Sequence, residues 1–412
     1  MERTILHCDM NNFFASVECM LDPSLRSHPV AVCGSVEERQ GIVLAKNELA
    51  KKCGVKTAEP LWQAKIKCPD LVAVPPHYDE YVKMSRLAKQ IYLRYTDLVE
   101  PFGMDECWLD LSAGLRFIGT GEKIAEQLRR TMKEELGLTI SVGVSFNKVF
   151  AKLGSDLKKP DAVTFIEKDN FRQKIWSLPA SELLGVGQTT AKKLENWHIR
   201  TIGELARRPV DSLERIFGKQ GVVLWRYANG LDDAPVLPEC ALPPAKSVGH
   251  GITTLQDLTN SEEVWRVILE LCQEIGHRLF TMDQKARAVS ISVKDNSLQC
   301  KMWQGQLKKA SASPYLIAKR AFELFCASYL WQRPIRAVSV AAIRLDDADA
   351  PDQLDLFTPV EEHDKRERLD VAIEGIRSRF GNGILRNACL LDNPKMPSER
   401  PPVCLPPAVH PR

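Results

Sequence analysis

Glu100-Pro101-Phe102-Gly103-Met104-Asp105-Glu106-Cys107-Trp108-Leu109-Asp110 places two short apolar runs on either side of a glycine-containing turn. Val99 to Phe102 and Cys107 to Leu111 read as strands, with Gly103-Met104-Asp105-Glu106 as the hairpin tip. Upstream, Thr4-Ile5-Leu6-His7-Cys8 reads as another buried strand, ending at Asp9. If that strand lies beside the hairpin, Asp9, Asp105 and Glu106 meet at one sheet edge. Carboxylates so close repel one another and need cations. Mg²⁺ takes carboxylate oxygens and keeps positions open for water and phosphate. Two such ions suit in-line phosphoryl displacement, with the backbone carbonyl of Met10 as an extra hard-oxygen ligand. Taken alone, an Asp-Glu pair in a turn reads first as a solvated surface feature.

Working outward, Asn11-Asn12 breaks the first strand, and Phe13 to Met20 reads as a helix. Backbone N–H groups of Asn12 to Phe14, just past a strand end, form a candidate anion nest. Residues 41–76 mix short strands and helices. Tyr81 to Tyr95 reads as a helix with apolar positions Val82, Leu87, Ala88, Ile91 and Tyr95. Ile124, Leu128, Met132 and Leu136 repeat every four residues and Gly137 follows as a cap, so this too is a helix. Thr139 to Phe146 is strand-like, and Asn147 to Leu157 is helical up to Pro160. The interleaving predicts an α+β sheet with helices on one face. Residues 169–235 read as short helices. Pro235 to Pro244 holds four prolines and reads as a linker. Residues 246–345 read β-α-β-β-α-β, a ferredoxin-like pattern. Its helices are Ser261 to Met282, with the stripe Val264, Val267, Ile268, Leu271, Ile275 and Leu279, and Ser313 to Leu330, with Ser313 as N-cap and Pro314 behind it. Residues 346–412 are acidic and Pro-rich, with one helical stretch near Val371 to Phe380; most of this tail reads as mobile.

A chain of 412 residues has room for two to four domains. No apolar run reaches membrane-spanning length, and the N-terminus lacks the features of a signal peptide. The twelve cysteines include no Cys-x-x-Cys pair. Reduced thiols and a cytoplasmic setting are expected. Net charge is unevenly spread: zero over residues 1–168, +2 over 169–235, −1 over 236–245, +6 over 246–345 and −4 over 346–412. A basic module before an acidic tail points to a polyanionic partner for the module alone.

Three stretches in order resemble the motifs of the Y-family translesion DNA polymerases, of the bacterial polymerase IV type. The first is Ile5-Leu6-His7-Cys8-Asp9-Met10-Asn11-Asn12-Phe13-Phe14-Ala15-Ser16-Val17-Glu18. The hairpin above is the second. The third is Val142-Gly143-Val144-Ser145-x-Asn147-Lys148-x-x-Ala151-Lys152-Leu153-x-Ser155-Asp156-x-x-Lys159-Pro160. The resemblance covers about residues 4–345. It implies a right-hand polymerase with a ferredoxin-like palm (1–10 and 79–168), fingers (11–78), an all-helical thumb (169–235), a linker (236–245), a little finger (246–345) and a tail (346–412). It implies low-fidelity, template-directed DNA synthesis in lesion bypass and DNA repair, from deoxynucleoside triphosphates on primer-template DNA. Asp9 and Asp105 would bridge two Mg²⁺ ions, with Mn²⁺ as an alternative metal, and Glu106 would hold the primer-side ion. Phe14 matches the steric gate against a 2′-hydroxyl, an exclusion by repulsion, while Phe13 reads as core. Lys159 matches a triphosphate lysine.

The sequence also departs from the family. Where relatives carry Tyr-x-x-Arg, it has Glu48-Leu49-Ala50-Lys51. Lys51 keeps the charge without bidentate geometry, and Glu48 sets an acid where a phosphate donor is usual. Weaker nucleotide affinity is expected. Asn11 and Gly103 also differ from many relatives, and Ile42, Leu44 and Ala58 match positions over the new base pair.

Leu184-Gly185-Val186-Gly187-Gln188-Thr189-Thr190-Ala191-Lys192-Lys193-Leu194 resembles a helix-hairpin-helix. Gly185 and Gly187 would let backbone amides approach a DNA phosphate, and Lys192 and Lys193 add charge. In the basic module Lys294, Lys301, Lys308, Arg333, Arg336 and Arg344 fall on or near strands. They are candidate phosphate partners, for which binding weakens steeply with salt. Gln353-Leu354-Asp355-Leu356-Phe357 resembles the pentapeptide that binds the bacterial sliding clamp (β clamp). Leu356 and Phe357 would be the apolar anchors and Gln353 the polar register. A monomer is expected. The competing readings are another palm-type nucleotidyl transferase and a catalytically weak scaffold that binds DNA and clamp.

Overall fold

The computed structural model describes residues 3–114, 119–241, 243–351, 360–381, 384–391 and 395–396. The described residues divide into two units, one built from those within 3–34 and 42–243, the other from those within 35–41 and 244–396.

The first unit opens with β1 (Ile5–Met10), α1 (Phe13–Leu21), β2 (Val30–Cys33), β3 (Val43–Lys46), α2 (Glu48–Lys52), α3 (Leu61–Lys67), β4 (Val72–Val74) and α4 (Tyr78–Tyr92). It continues with β5 (Val99–Pro101), β6 (Glu106–Asp110), α5 (Gly121–Leu136), β7 (Ile140–Ser145), α6 (Lys148–Leu157) and β8 (Val163–Ile166). A five-stranded sheet runs β5-β6-β1-β7-β8, and a small sheet runs β3-β2-β4. β1 lies inside the large sheet, antiparallel to both β6 and β7. All six of its residues are buried, which explains why it reads as a continuous apolar run.

That burial corrects the expectation of helices on one face. Leu6, Cys8 and Met10 pack with Met84, Ala88 and Ile91 of α4 and with Ile124, Leu128 and Met132 of α5. Ile5 and Trp108 face the other way, against Ala151 of α6. The Trp108 indole N–H donates to the Lys148 carbonyl at 3.0 Å. α4 also differs from its expected span: it starts at Tyr78, and its buried stripe is Tyr81, Met84, Ala88, Ile91 and Tyr92. Asp79 and Glu80 in the first turn suit the positive end of the helix dipole.

α6 approaches the sheet closely because Gly143 faces Gly154; a Cβ at Gly143 would collide with the Ala151 carbonyl oxygen. Gly143→Ala is therefore expected to destabilise the protein by about 3 kcal/mol, the cost of a badly overpacked site, measured as a lower urea midpoint.

Residues 169–241 carry α7 (Phe171–Ile175), α8 (Gln188–Asn196), α9 (Ile202–Arg207), α10 (Val210–Phe217) and α11 (Lys219–Ala228). Leu194, Ile202, Leu205, Leu213 and Leu224 form their core. Thr201 and Glu204 close a capping box on α9. The proline-rich segment that follows is anchored at its start. Val236 is buried with Ile5 and Trp108. The Leu237 N–H donates to Glu100 Oε2 at 2.8 Å.

The second unit follows the expected element order: β9 (Ser247–Leu258), α12 (Ser261–Thr281), β10 (Gln284–Asp295), β11 (Cys300–Ser311), α13 (Pro314–Ser328) and β12 (Ile335–Asp347). The sheet runs β11-β10-β12-β9 with every neighbouring pair antiparallel, so the first strand pairs with the last. All six residues of the α12 stripe are buried, each contributing roughly 1.5–3 kcal/mol. Ser313 caps α13.

The described part of the tail is packed, which corrects the expectation of a mostly mobile segment. α14 spans Val360–Phe380. Its Asp370 and Arg377 are buried. The Ser313 hydroxyl donates to Asp370. Arg377 donates to Gln273 Oε1 at 2.9 Å. Leu390 and Met396 join the unit's core. Sequence composition concealed this because the helix is anchored by charged residues, Asp370 and Arg377, among many charges of both signs. Gln353, Leu356 and Phe357 lie outside the described residues.

Candidate active site

The hairpin forms as expected, with β5 and β6 antiparallel and Gly103 in the turn at φ 87°, a conformation that favours glycine. β1 lies beside it in a register that sets Asp9 directly opposite Glu106. The Met10 N–H donates to the Asp105 carbonyl at 3.0 Å, tying strand end to turn. Asp9 and Glu106, from distant stretches of chain, thus face each other at the end of the sheet, with Asp105 in the adjoining turn; among the described residues no three acidic, cysteine or histidine side chains stand close enough together to hold a metal ion as they lie. Only 5% of Asp9 is exposed.

Two lysines of the third motif reach into this cluster. Lys152 Nζ is 3.3 Å from Asp9 Oδ2, 2.8 Å from Glu106 Oε2 and 3.2 Å from Asp156 Oδ2. Lys159 Nζ is 2.7 Å from Asp9 Oδ2 and 2.8 Å from Asp156 Oδ1. His7, fully buried, lies on the same side. Its Nε2 is 3.1 Å from Glu106 Oε2 and its Nδ1 is 2.8 Å from Ser155 Oγ. The Ser155 hydroxyl donates to the Lys152 carbonyl at 2.7 Å, so it accepts from His7 Nδ1. Despite these neighbours, Glu106 Oε2 is buried without an aligned hydrogen-bond donor.

The electrostatics follow from this crowding. Burial pushes the Asp105 carboxyl up to about 7, helped by the nearby charges of Asp9 and Glu106. Burial also acts on Glu106, but the adjacent His7 imidazole and the Lys152 ammonium outweigh it and hold Glu106 below the usual carboxylate range. Burial disfavours the charged form of Lys152, yet Glu106, Asp9 and Asp156 keep it above the ordinary lysine range. Burial depresses His7 below its usual value.

Fit to a divalent cation can be judged from the donor set. It consists of hard carboxylate oxygens: Glu106 Oε2, buried and without an aligned donor, and Asp9 Oδ2, each with an ammonium group close by. That chemistry suits Mg²⁺ or Mn²⁺ and not a soft metal.

Phe13 is buried in the core under β1. Phe14 is half-buried and stacks on Tyr81, with centroids 4.2 Å apart and planes at 10°. Tyr78 meets the same ring edge-on at 6.0 Å. The Tyr81 hydroxyl donates to the buried Glu18. Asn12, at φ 49°, precedes α1, and its Nδ2 donates to Glu48 Oε1 at 2.9 Å. Lys51 Nζ is 3.5 Å from that same Glu48 oxygen. Asn11 ties the site to its surroundings through Ser141 Oγ at 2.8 Å and the Asp161 N–H at 2.8 Å.

Sequence reasoning assigned no role to His7, Lys152, Ser155, Asp156 or Tyr81. The signal for two of them was present as spacing: Lys152 and Asp156 precede the assigned Lys159 at i, i+4 and i+7.

The remaining candidates lie elsewhere. Gly185 has φ 88° and Gly187 precedes α8, while Lys192 and Lys193 are exposed. In the second unit Lys294 and Arg333 are exposed, and Lys294 pairs with Ala337 on the face away from the buried Val293. Arg336 is half-buried and donates to the Arg39 carbonyl at 3.4 Å. Lys301 departs from the expected phosphate set: it lies opposite the buried Val293, and its Nζ sits 5.8 Å from the Tyr329 ring, on the helix side of the sheet.

Comparison with known proteins agrees with this architecture. Residues 8–156 match the impB/mucB/samB family, and residues 245–356 match the C-terminal domain of that family. Residues 181–232 match a thumb domain described for DNA polymerase-iota. A DNA polymerase IV from Acetivibrio thermocellus is 49% identical over 95% of this chain and 98% of its own. DNA polymerase IV 1 of Bacillus subtilis is 36% identical over 94% of this chain and 93% of its own. A solved chimeric Y-family DNA polymerase shares the fold at a TM-score of 0.75 and 22% identity, covering 84% of this chain and 99% of that one. Among the described residues no helix is long and apolar enough to cross a membrane. With such relatives matched over nearly their whole length, the chain belongs to the Y-family DNA polymerases, in the group that includes DNA polymerase IV.

Proposed function

We propose that this chain is a low-fidelity DNA polymerase that extends a primer 3′ end on a template and copies past lesions. The observation that carries the reading is the pairing of Asp9 with Glu106 across β1 and β6, beside the turn that holds Asp105. Asp9, Asp105, Glu106 and the Met10 carbonyl are assigned as the groups that would hold two Mg²⁺ ions, with Glu106 serving the primer end. When bound, the ions supply a lowered pKa at the primer 3′-hydroxyl and neutralise the charge of the triphosphate. The chain's own residues do the placing. Backbone amides of Asn12, Phe13 and Phe14 receive phosphate oxygens, Lys159 adds charge, and the Phe14 ring lies under the sugar. Running-start extension past an abasic site and past an N2-guanine adduct tests the reading. A scaffold would give no template-dependent product.

Duplex contacts are assigned to the amides around Gly185 and Gly187, to Lys192, and to Lys294, Arg333 and Arg336. They set position without reading sequence. Gln353, Leu356 and Phe357 are assigned to a sliding clamp. Replacing Leu356 and Phe357 with Ala is expected to abolish stimulation by the clamp while leaving distributive synthesis intact, compared in extension assays with and without clamp.

Glu48 is assigned as a brake on nucleotide binding. It is bonded to Asn12 and paired with Lys51, so both must leave it to serve a triphosphate. Glu48→Tyr is expected to lower the KM for nucleotide roughly fivefold, about 1 kcal/mol, with kcat little changed. An unchanged KM in steady-state single-nucleotide insertion would refute it.

A further inference from the structure

Lys152 sits where two metal ligands meet. Its ammonium contacts Asp9 Oδ2 at 3.3 Å and Glu106 Oε2 at 2.8 Å. The same ammonium also reaches Asp156 Oδ2 at 3.2 Å, one turn further along α6. Only 14% of the Lys152 side chain is exposed, so the charge is largely withdrawn from water. Asp156, with 34% exposed, lies at the outer rim of the cluster. A cation held by Asp9 and Glu106 would compete directly with this ammonium, since like charges a few ångströms apart repel strongly in a partly dry site. Asp156 offers a second carboxylate within reach, and the lysine stem needs only a rotamer change to move fully onto it.

We propose that Lys152 holds the place of a divalent cation in the metal-free site and is handed to Asp156 when the cation enters. Lys152 and Asp156 are then positioning residues that set how tightly, and against what competition, the cation is taken. This lets three acids stay assembled before the metal arrives, and it keeps the metal-free cluster from repelling itself apart. The inference rests on Asp9, Asp105 and Glu106 being the ligands.

Mn²⁺ binding to the DNA-free full chain, followed by the electron paramagnetic resonance of the free ion, is the test. Lys152→Gln is expected to tighten binding roughly tenfold, because the one ammonium that contacts both Asp9 and Glu106 is gone, while Lys159 stays on Asp9 alone of the two. It should also lower the melting temperature in EDTA, because the carboxylates lose their counter-charge. Asp156→Asn is expected to weaken Mn²⁺ binding several-fold, because the ammonium loses its alternative seat.

A purely through-space effect of charge gives the same two signs, so the double variant decides. If the ammonium is handed over, Asp156→Asn loses most of its effect once Lys152 is Gln. If the two changes simply add, the proposal falls. Weaker or unchanged binding in Lys152→Gln also overturns it. Should Lys152→Gln not fold, Lys152→Met takes its place in the same double-variant comparison, read by the same two outcomes. Asp9→Asn separates the two levels. If wild-type Mn²⁺ binding survives that change, the ligand assignment itself is wrong. If binding is lost there but Lys152→Gln leaves it untouched, only the handover fails.

Discussion

Asp105→Ala lowers Mg²⁺-dependent primer extension by about 10³-fold, roughly 4 kcal/mol of transition-state stabilisation. The size follows from what the side chain is asked to do. As a proposed metal ligand, Asp105 would help hold the cation that activates the nucleophile and neutralises the leaving group, so its loss would weaken both. The structure makes the change informative, because Asp105 lies in the turn and not in the sheet. Its backbone carbonyl, which receives the Met10 N–H at 3.0 Å, remains in the variant. The hairpin and the core beneath it should therefore survive, and DNA binding measured by anisotropy should be unchanged. Single-turnover extension with a rapid quench is the measurement. A rate within threefold of wild type would remove Asp105 from the metal site. The same result for Asp9→Asn would remove the site altogether.

Phe14→Ala admits ribonucleotides. Accommodating a 2′-hydroxyl against a fixed ring resembles overpacking, which costs about 1–3 kcal/mol, or about five- to 150-fold in selectivity. The ring must be immobile for this to work. Here it is clamped face to face on Tyr81 at 4.2 Å and edge-on by Tyr78 at 6.0 Å. Tyr81 is in turn bonded to Glu18, whose carboxylate also meets His77 Nδ1 at 2.9 Å. Comparing kcat/KM for a ribonucleoside and a deoxyribonucleoside triphosphate on one template checks it. Tyr81→Leu, which removes the clamp and keeps Phe14, should give an intermediate loss of discrimination. If Phe14→Ala leaves the ratio unchanged, the gate lies elsewhere.

Much of the architecture was legible in the chain, because it was written in local patterns. The hairpin around Gly103, the helix capped by Gly137, the stripe from Val264 to Leu279 and the Ser313-Pro314 helix start all depend on neighbours in sequence. They rest on strand alternation, helical period and capping, which act over a few residues. The tail was misread because its anchors are charged. Asp370 and Arg377 look like solvated residues until Ser313 and Gln273 are placed beside them.

By itself the sequence determined that three acids would come at the ends of apolar strands, and it determined the family those strands belong to. Only the tertiary structure decided that Asp9 faces Glu106 and that α6 covers the second face of the sheet. It also decided that Lys152 and His7 stand on the same oxygen of Glu106. The physical reason is register and close approach. Which residue opposes which is fixed by hydrogen bonding between strands far apart in the chain, and by two glycines, Gly143 and Gly154, that let a helix come near enough to place its lysine among the acids.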